Sequence, residues 1–234
     1  MLRFWDAAEA APSGDGFAIL LDGRPMRLPG GGPLHVAGQS LAVAIAAEWR
    51  AAGGAKGGTM TPADVPLTRL AGTAADRIAP DPHATIVALA RYGETELLCY
   101  RTQDPRLAPR QAAQWDPWLL WSAHALHATL LTTTGVMPVT QPPAALVALH
   151  AALAAKPPLA LAALGVAVPA LGSLVLALAM AAGAVSAQEA HALSALEEDF
   201  HREIWGNDPD ILARRAVAAA DVALAARLLA LLDP

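Results

Sequence analysis

Apolar and polar positions keep a strand-like rhythm only near the start of the chain. Phe17 to Leu21 is a short apolar run, Asp22-Gly23 follows, and Met26 to Leu28 is apolar again. Asp-Gly between two such runs predicts a hairpin. Leu34 to Val36 offers a further strand. The spacing then changes. In "SLAVAIAAEWRAAGG" the positions Leu41, Ala44, Ile45 and Glu48 recur at helical intervals, which predicts a helix with Ser40 as its cap and Gly53 as its stop. "GGAKGGTMTPADVP" reads as a Gly/Pro-rich linker. It predicts a small mixed sheet-and-helix domain over 1–58 and a larger, mainly helical domain over 59–234, hence an α+β protein.

From Leu67 onward the pattern is helical. "LTRLAGTAADRIA" and "PHATIVALARYG" predict two short helices, each stopped by Pro or Gly. "ELLCYR" fits either a strand or a helical turn. "QAAQWDPWLLWSAHALHATLL" predicts a long helix, started or kinked at Pro117 with Asp116 as N-cap. "PPAALVALHAALAAKPP" is a helix bounded by prolines. "SAQEAHALSALEEDFHREIWG" opens with a capping-box pair, Ser186 and Glu189, and stops at Gly206. A last helix follows in "NDPDILARRAVAAADVALAARLLALL".

Charged positions almost vanish along one long stretch of the chain: between Gln111 and Leu196 only Asp116, Lys156 and Glu189 carry charge. "ALGSLVLALAMAAGAV" (170–185) lies in the middle of this silence. A membrane span needs about 20 continuous apolar residues. Here Pro169, Gly172-Ser173 and Gly183 interrupt the run, and no Lys/Arg cluster or aromatic belt flanks it. The expectation is a central core helix and no stable membrane insertion.

Composition sharpens the helical reading. Of 234 residues 55% are hydrophobic and only 16% charged, with alanine and leucine prominent. The net charge of −5, with arginines scattered apart from Arg101, Arg106 and Arg110, argues against nucleic-acid binding. Cys99 is the sole cysteine, which excludes an intramolecular disulfide and fits a reducing compartment. "MLRFWDAAEAAPSGDG" lacks the apolar stretch of a signal peptide and the Arg-rich character of a presequence, so a cytoplasmic protein is expected.

Candidate chemistry is sparse. "GGAKGGT" lacks the G-x-x-x-x-G-K-[ST] order of a phosphate loop and follows a helix rather than a strand. No G-x-S-x-G occurs, and Cys99 has no nucleophile motif around it. Glu197 and Glu198 precede His201 by four and three residues, which puts carboxylate and imidazole on one helix face. A helical metal or cofactor enzyme using Glu198 and His201 is the alternative reading, but carboxylate-bridged metal bundles need a second Glu-x-x-His copy, and none is present. His124 and His127 form another i, i+3 pair in apolar surroundings. Trp115, Trp118 and Trp121 read as core packing or as interface anchors, and Trp49 and Trp205 are treated likewise. No cofactor is expected.

Several stretches together resemble a known family. "RFWDAA", "GFAILLDGRPMRLP", "LAVAIAAEWRA", "VPLTRLAGTAADRI", "YGETELLCYR", "RQAAQWDPWLLWSA", "GVMPVTQPP", "LGSLVLALAMAAG" and "ALEEDFHREIWG" occur in order along nearly the whole chain. They resemble the bacterial relatives of the assembly chaperones that handle the α subunit of the F₁ head of ATP synthase. Val65 stands where the family often has Met, and His201 where it usually has Gln. The resemblance implies a chaperone rather than an enzyme, with a small α+β N-terminal domain and a helical one after it. It implies the unassembled α subunit as partner, with its β-contacting surface shielded. Glu197, with Glu198 beside it, matches the family's sensitive acidic position, and Trp49 its "EW" aromatic. Trp115, Asp116, Trp118 and Trp205 belong to the family motifs. A carboxylate at Glu197 would pair with an Arg or Lys of the client.

Overall fold

The structure is a computed structural model and describes residues 1–135 and 137–232; Val136 of the "GVMPVTQPP" stretch lies outside these. The chain divides into two compact units. One comprises Met1–Pro82 with Pro158–Ala163 and the chain from Arg227 onward; the other comprises His83–Pro157 and Leu164–Ala226.

The first unit is built on an antiparallel sheet of β1 (Ala8–Ser13), β2 (Gly16–Leu21), β3 (Arg24–Pro25) and β4 (His35–Val36). β2 is the centre: it pairs with β1 from Ala8↔Leu21 to Ser13↔Gly16, with β3 at Leu21↔Arg24 and with β4 at Phe17↔Val36. The expected Asp22-Gly23 turn is present. Both residues have positive φ, 49° and 75°, which is the twist a two-residue hairpin turn demands. β1 escapes sequence reading because "AEAAPS" has no β-branched or aromatic residue. It is held by register with β2 and by packing against α1 (Gln39–Ala51).

α1 buries Leu41, Ile45 and Trp49 on one face. Its N-cap is Gly38, without a side-chain cap, so Ser40 sits inside the first turn rather than capping it. Trp5 is fully buried, donates from Nε1 to the Trp49 carbonyl at 2.9 Å, and lies 4.8 Å from the Trp49 ring. Arg3, also buried, donates to the carbonyls of Trp5, Asp6, Arg50, Ala52 and Gly54. A cation at the carbonyl end of α1 is favoured by the helix dipole. These bonds draw the Gly-rich segment 53–58 into the first unit, which runs on to Pro82. Arg3 N donates to Gly58 O and Gly57 N to Arg3 O. A side chain at Gly58 would meet the Gly53 carbonyl at 1.8 Å, so glycine there is a packing requirement.

α2 (Pro66–Thr73) continues through a π-helical turn over Ala74–Ile78. Its start is satisfied from α1: Glu48 accepts from Leu67 N (2.8 Å), Thr68 N (3.1 Å) and Thr68 Oγ1 (3.2 Å). Burial pushes the Glu48 carboxyl above its ordinary range, against the pull of these donors.

The second unit contains α3 (Pro82–Ala90), β5 (Tyr100–Arg101), α4 (Ala108–Ala125), β6 (Thr133–Thr134), α5 (Pro143–Ala154), α6 (Pro158–Leu171), α7 (Leu174–Ala181), α8 (Ala187–Ser194), α9 (Leu196–Trp205) and α10 (Pro209–Ala230), with the ends of α3, α6 and α10 counted in the first. "ELLCYR" resolves into a single 3₁₀ turn, Leu97–Cys99, followed by β5, which pairs in parallel with β6. α7 is buried on every side from Leu174 to Met180 and packs against α4 and α8. A helix with no polar face belongs in such a place. Gly172, at φ 62°, ends α6, and Ser173 opens α7 by accepting from Leu176 N at 3.0 Å. No helix among the described residues is long and apolar enough to cross a membrane.

A second carboxylate meets α7 from far away in the chain. Glu96, wholly buried, accepts from Leu174 N (2.8 Å), Val175 N (3.1 Å) and the Ser173 hydroxyl, as well as weakly from Leu98 N (3.4 Å). Burial dominates these donors and pushes its pKa up to about 7.

Three expectations shift here. α4 starts at Ala108 and runs through Pro117, so Asp116 is mid-helix and caps nothing. Its carboxylate instead lies 2.7 Å from Arg101 Nη2. α4 also ends at Ala125, short of Leu131, and His127 adopts φ 57° beyond it. The segment after it is held by Gln141, which exchanges both hydrogen bonds with the Leu131 backbone. Finally, the single helix expected over 187–205 is two. Ala195 (ψ 7°) leaves the helical region, so α9 starts afresh with Glu197, Glu198 and Asp199 in its first turn, where negative charge is favoured. The Ser186–Glu189 capping box and the Gly206 stop are as expected.

Candidate functional site

α9 carries the acidic residues singled out from sequence, and its fold separates them. Glu197 is half-buried against α4, where Oε1 accepts from Gln111 Nε2 at 2.6 Å. Gln111 is itself buried, with its Oε1 holding Thr102 N at 2.8 Å, so the amide can present only its donor to Glu197. Glu198 is exposed on another side of the helix. Its Oε2 is 3.8 Å from Arg215 Nε, beyond hydrogen-bond reach.

Asp199 takes the strong contacts. Arg215 of α10 grips it with both Nη atoms, and Arg202 reaches Oδ1 at 2.9 Å. The Arg215 hydrogen bonds hold the Asp199 carboxyl below its ordinary range. Nothing in the local sequence marks this pair, because it joins two helices sixteen residues apart. The outer side of α9 is tied to α4 as well: Arg110 Nη1 lies 2.8 Å from both Glu203 oxygens, and the guanidiniums of Arg106 and Arg110 flank the Phe200 ring at 5.3 and 5.4 Å.

Between α9 and α10 runs an open groove of about 570 Å³, lined among others by Glu198, His201, Trp205, Asp208, Leu212 and Arg215. Trp205 is 76% exposed and its ring lies 4.8 Å from that of His201, tilted by 32°. Ile204 and Leu212 add exposed apolar surface nearby. An aromatic this large left in water beside a carboxylate is the kind of anchor found at interaction surfaces. Asp208 is spent on starting α10, accepting from Asp210 N at 2.9 Å.

The other singled-out residues lie away from this groove. Trp115 is fully buried and donates from Nε1 to Leu193 O at 2.9 Å, which fixes α4 on α8; Trp118 and Trp121 are half-buried. The Arg101 guanidinium lies 5.5 Å over the Trp115 ring. Trp49 donates from Nε1 to Thr68 Oγ1 at 2.9 Å in the first unit. His124 is engaged with the Leu120 carbonyl at 2.7 Å, while His127 lies past the helix end, so they do not share a helical face. Burial pushes the Cys99 thiol up to about 12, which removes it as a nucleophile at neutral pH. Among the described residues no three His, Cys, Asp or Glu side chains gather to hold a metal ion.

A small α+β unit, a helical unit with a charge-poor core and an exposed acidic-aromatic groove are the features that the chain brings to a comparison with known proteins. Residues 2–123 match the model of the ATP12 chaperone protein family. The chain is also similar to crystallised Atp12 of Paracoccus denitrificans, at 40% identity over 98% of this chain and 97% of that one, with a TM-score of 0.91. A lysine-substituted mutant of that protein gives the same figures. An Agrobacterium tumefaciens protein regarded as a chaperone is similar at 38% identity, over 99% and 86% of the two chains, again with a TM-score of 0.91. The chain belongs to the ATP12 chaperone family, and it is a chaperone rather than an enzyme.

Proposed function

We propose that this chaperone serves assembly of the F₁ head of ATP synthase by holding the unassembled α subunit and covering the surface that later meets β. Family membership supports the class of activity. The observation that carries the proposed contact is the exposed Trp205, whose ring lies against that of His201 in the groove where Glu198 makes only a long 3.8 Å approach to Arg215. A carboxylate beside an exposed indole is suited to an arginine or lysine of the client, by ion pairing together with cation–π contact. Glu197, oriented by Gln111, supplies a second carboxylate on the neighbouring side of α9. Such contacts orient a client and speed its capture more than they add bulk affinity.

Co-expression with the α subunit followed by size-exclusion chromatography tests this reading. The two chains are expected to co-elute, and the chaperone is expected to keep α from aggregating. Absence of co-elution together with unchanged aggregation of α would sink it. Within a positive result, Glu197→Lys, Glu198→Lys and Trp205→Ala are each expected to weaken co-elution. Full retention in all three would move the contact off α9.

A further inference from the structure

The first unit has a groove of opposite character. About 740 Å³ in volume, it lies between the β3–β4 connection and the helical segment 66–78. Arg27, Arg69 and Arg77 line it, with Asp76 as the one carboxylate. All three arginines are exposed. Arg27 is fixed by donating to Gly31 O at 2.9 Å, which leaves its charge unpaired. The guanidiniums of Arg69 and Arg77 make no hydrogen bond or ion pair among the described residues, although the Arg69 backbone N–H donates to Val65 O at 3.1 Å within the helix. Asp76 is exposed but spends Oδ2 on the groove's own backbone, accepting from Gly30 N at 3.1 Å, and a side chain on Gly30 would collide with that carboxylate at 2.8 Å. Met26, Leu28 and Trp49 give the groove an apolar wall. This concentration of positive charge stands out in a chain of net charge −5.

We infer that this groove docks an extended acidic segment of a polypeptide, with carboxylates meeting Arg69 and Arg77 and an apolar side chain against Met26 and Leu28. Arg69 and Arg77 are eight residues apart on one helical segment, roughly 12 Å along its axis at about 1.5 Å per residue. That is the reach of about four residues of extended chain. Carboxylates suit the guanidinium fork, which takes them in bidentate fashion. A compact phosphate is a poorer match to charges spread along a helix. The nearest helix start, that of α2, already gives its Leu67 and Thr68 N–H groups to Glu48, so no bare amides remain to cradle one.

The test is fluorescence anisotropy with the full chain and a labelled Gly-Ser peptide carrying two glutamates four residues apart and a leucine between them. The same peptide with glutamines is the control. The acidic peptide is expected to bind, to weaken about tenfold in Arg69→Glu/Arg77→Glu, and to weaken with added salt. Arg69→Gln/Arg77→Gln, which adds no repulsion, is expected to show an intermediate loss. No binding of the acidic peptide, equal binding of the glutamine peptide, or unchanged binding in the glutamate double variant with its thermal unfolding intact would overturn the inference. Displacement of the peptide by inorganic pyrophosphate at lower concentration than the peptide itself would also overturn it, in favour of a phosphate site.

Discussion

Two helix starts in the second unit are met by carboxylates, and they are used in opposite ways. At α7 the carboxylate is Glu96, brought from 78 residues away, with no exposed surface and every oxygen occupied by backbone N–H groups and the Ser173 hydroxyl. At α9 the carboxylates are Glu197, Glu198 and Asp199, supplied by the helix itself; one is locked by Arg215, one is steered by Gln111, and one is left in water. A sealed, saturated carboxylate can only serve the fold. An exposed one with spare acceptor capacity is free to meet a partner. The contrast separates the two sets better than charge alone does, since both are acidic residues within the motifs that carry the family resemblance. Glu48 at α2 belongs with Glu96: it too is buried and feeds the start of a helix distant in sequence.

The largest effect expected from breaking this contrast is at Glu96. Glu96→Ala leaves the Ser173 hydroxyl and the Leu174 and Val175 amides unpaired in a dry core, at a cost of about 3 to 5 kcal/mol in urea unfolding. A loss below about 1 kcal/mol would mean that the site rearranges around the deletion.

The same carboxyl sets a pH dependence. Its folded pKa is raised from the ordinary 4.5 to about 7, so the folded state holds the proton more tightly than the unfolded one. This stabilisation is complete below pH 4.5 and is lost as pH rises to about 7, a decline of about 3 kcal/mol from this group alone. Glu96→Gln, which keeps the shape and one acceptor oxygen, is expected to flatten that decline in urea titrations between the two pH values. An unchanged slope would assign the proton elsewhere.

A smaller effect is expected where fold and function meet. Gln111→Ala removes the donor that orients Glu197 and the acceptor for Thr102 N, and should cost about 1 to 2 kcal/mol while also weakening α-subunit co-elution. The smallest effect on stability belongs to the open groove. Trp205→Ala should change the unfolding free energy in urea by no more than about 0.5 kcal/mol, because the ring is mostly in water, yet it should reduce client binding. A large stability loss there would make Trp205 structural and erase the contrast.

Much of this architecture was legible beforehand. The Asp22-Gly23 hairpin, the box at Ser186 and Glu189, the stop at Gly206 and the burial of Leu174 to Met180 each rest on residues within a turn or two of one another, although the 170–185 stretch is split at Gly172-Ser173 and its 182–184 end is exposed. β1 was not legible, because alanine-rich "AEAAPS" has no preference that opposes or favours a strand until β2 offers its edge. The Asp116-Pro117 pair misdirected the reading. A proline costs a helix one hydrogen bond and some crowding, and α4 carries that cost inside a helix whose Trp115 is anchored to Leu193 and whose Asp116 meets Arg101. In the candidate site, Glu197 and Glu198 were visible as an acidic pair, but their divergent roles were not.

The amino-acid sequence by itself determined that the chain after the N-terminal sheet is mainly helical, which stretch has no polar face and must be buried, and which family the chain resembles, because each follows from local spacing, capping or motif order. Only the tertiary structure decided which acids are spent on the fold and which remain available, since a carboxylate's role is set by the donors and the water around it, and those arrive from 16 to 86 residues away.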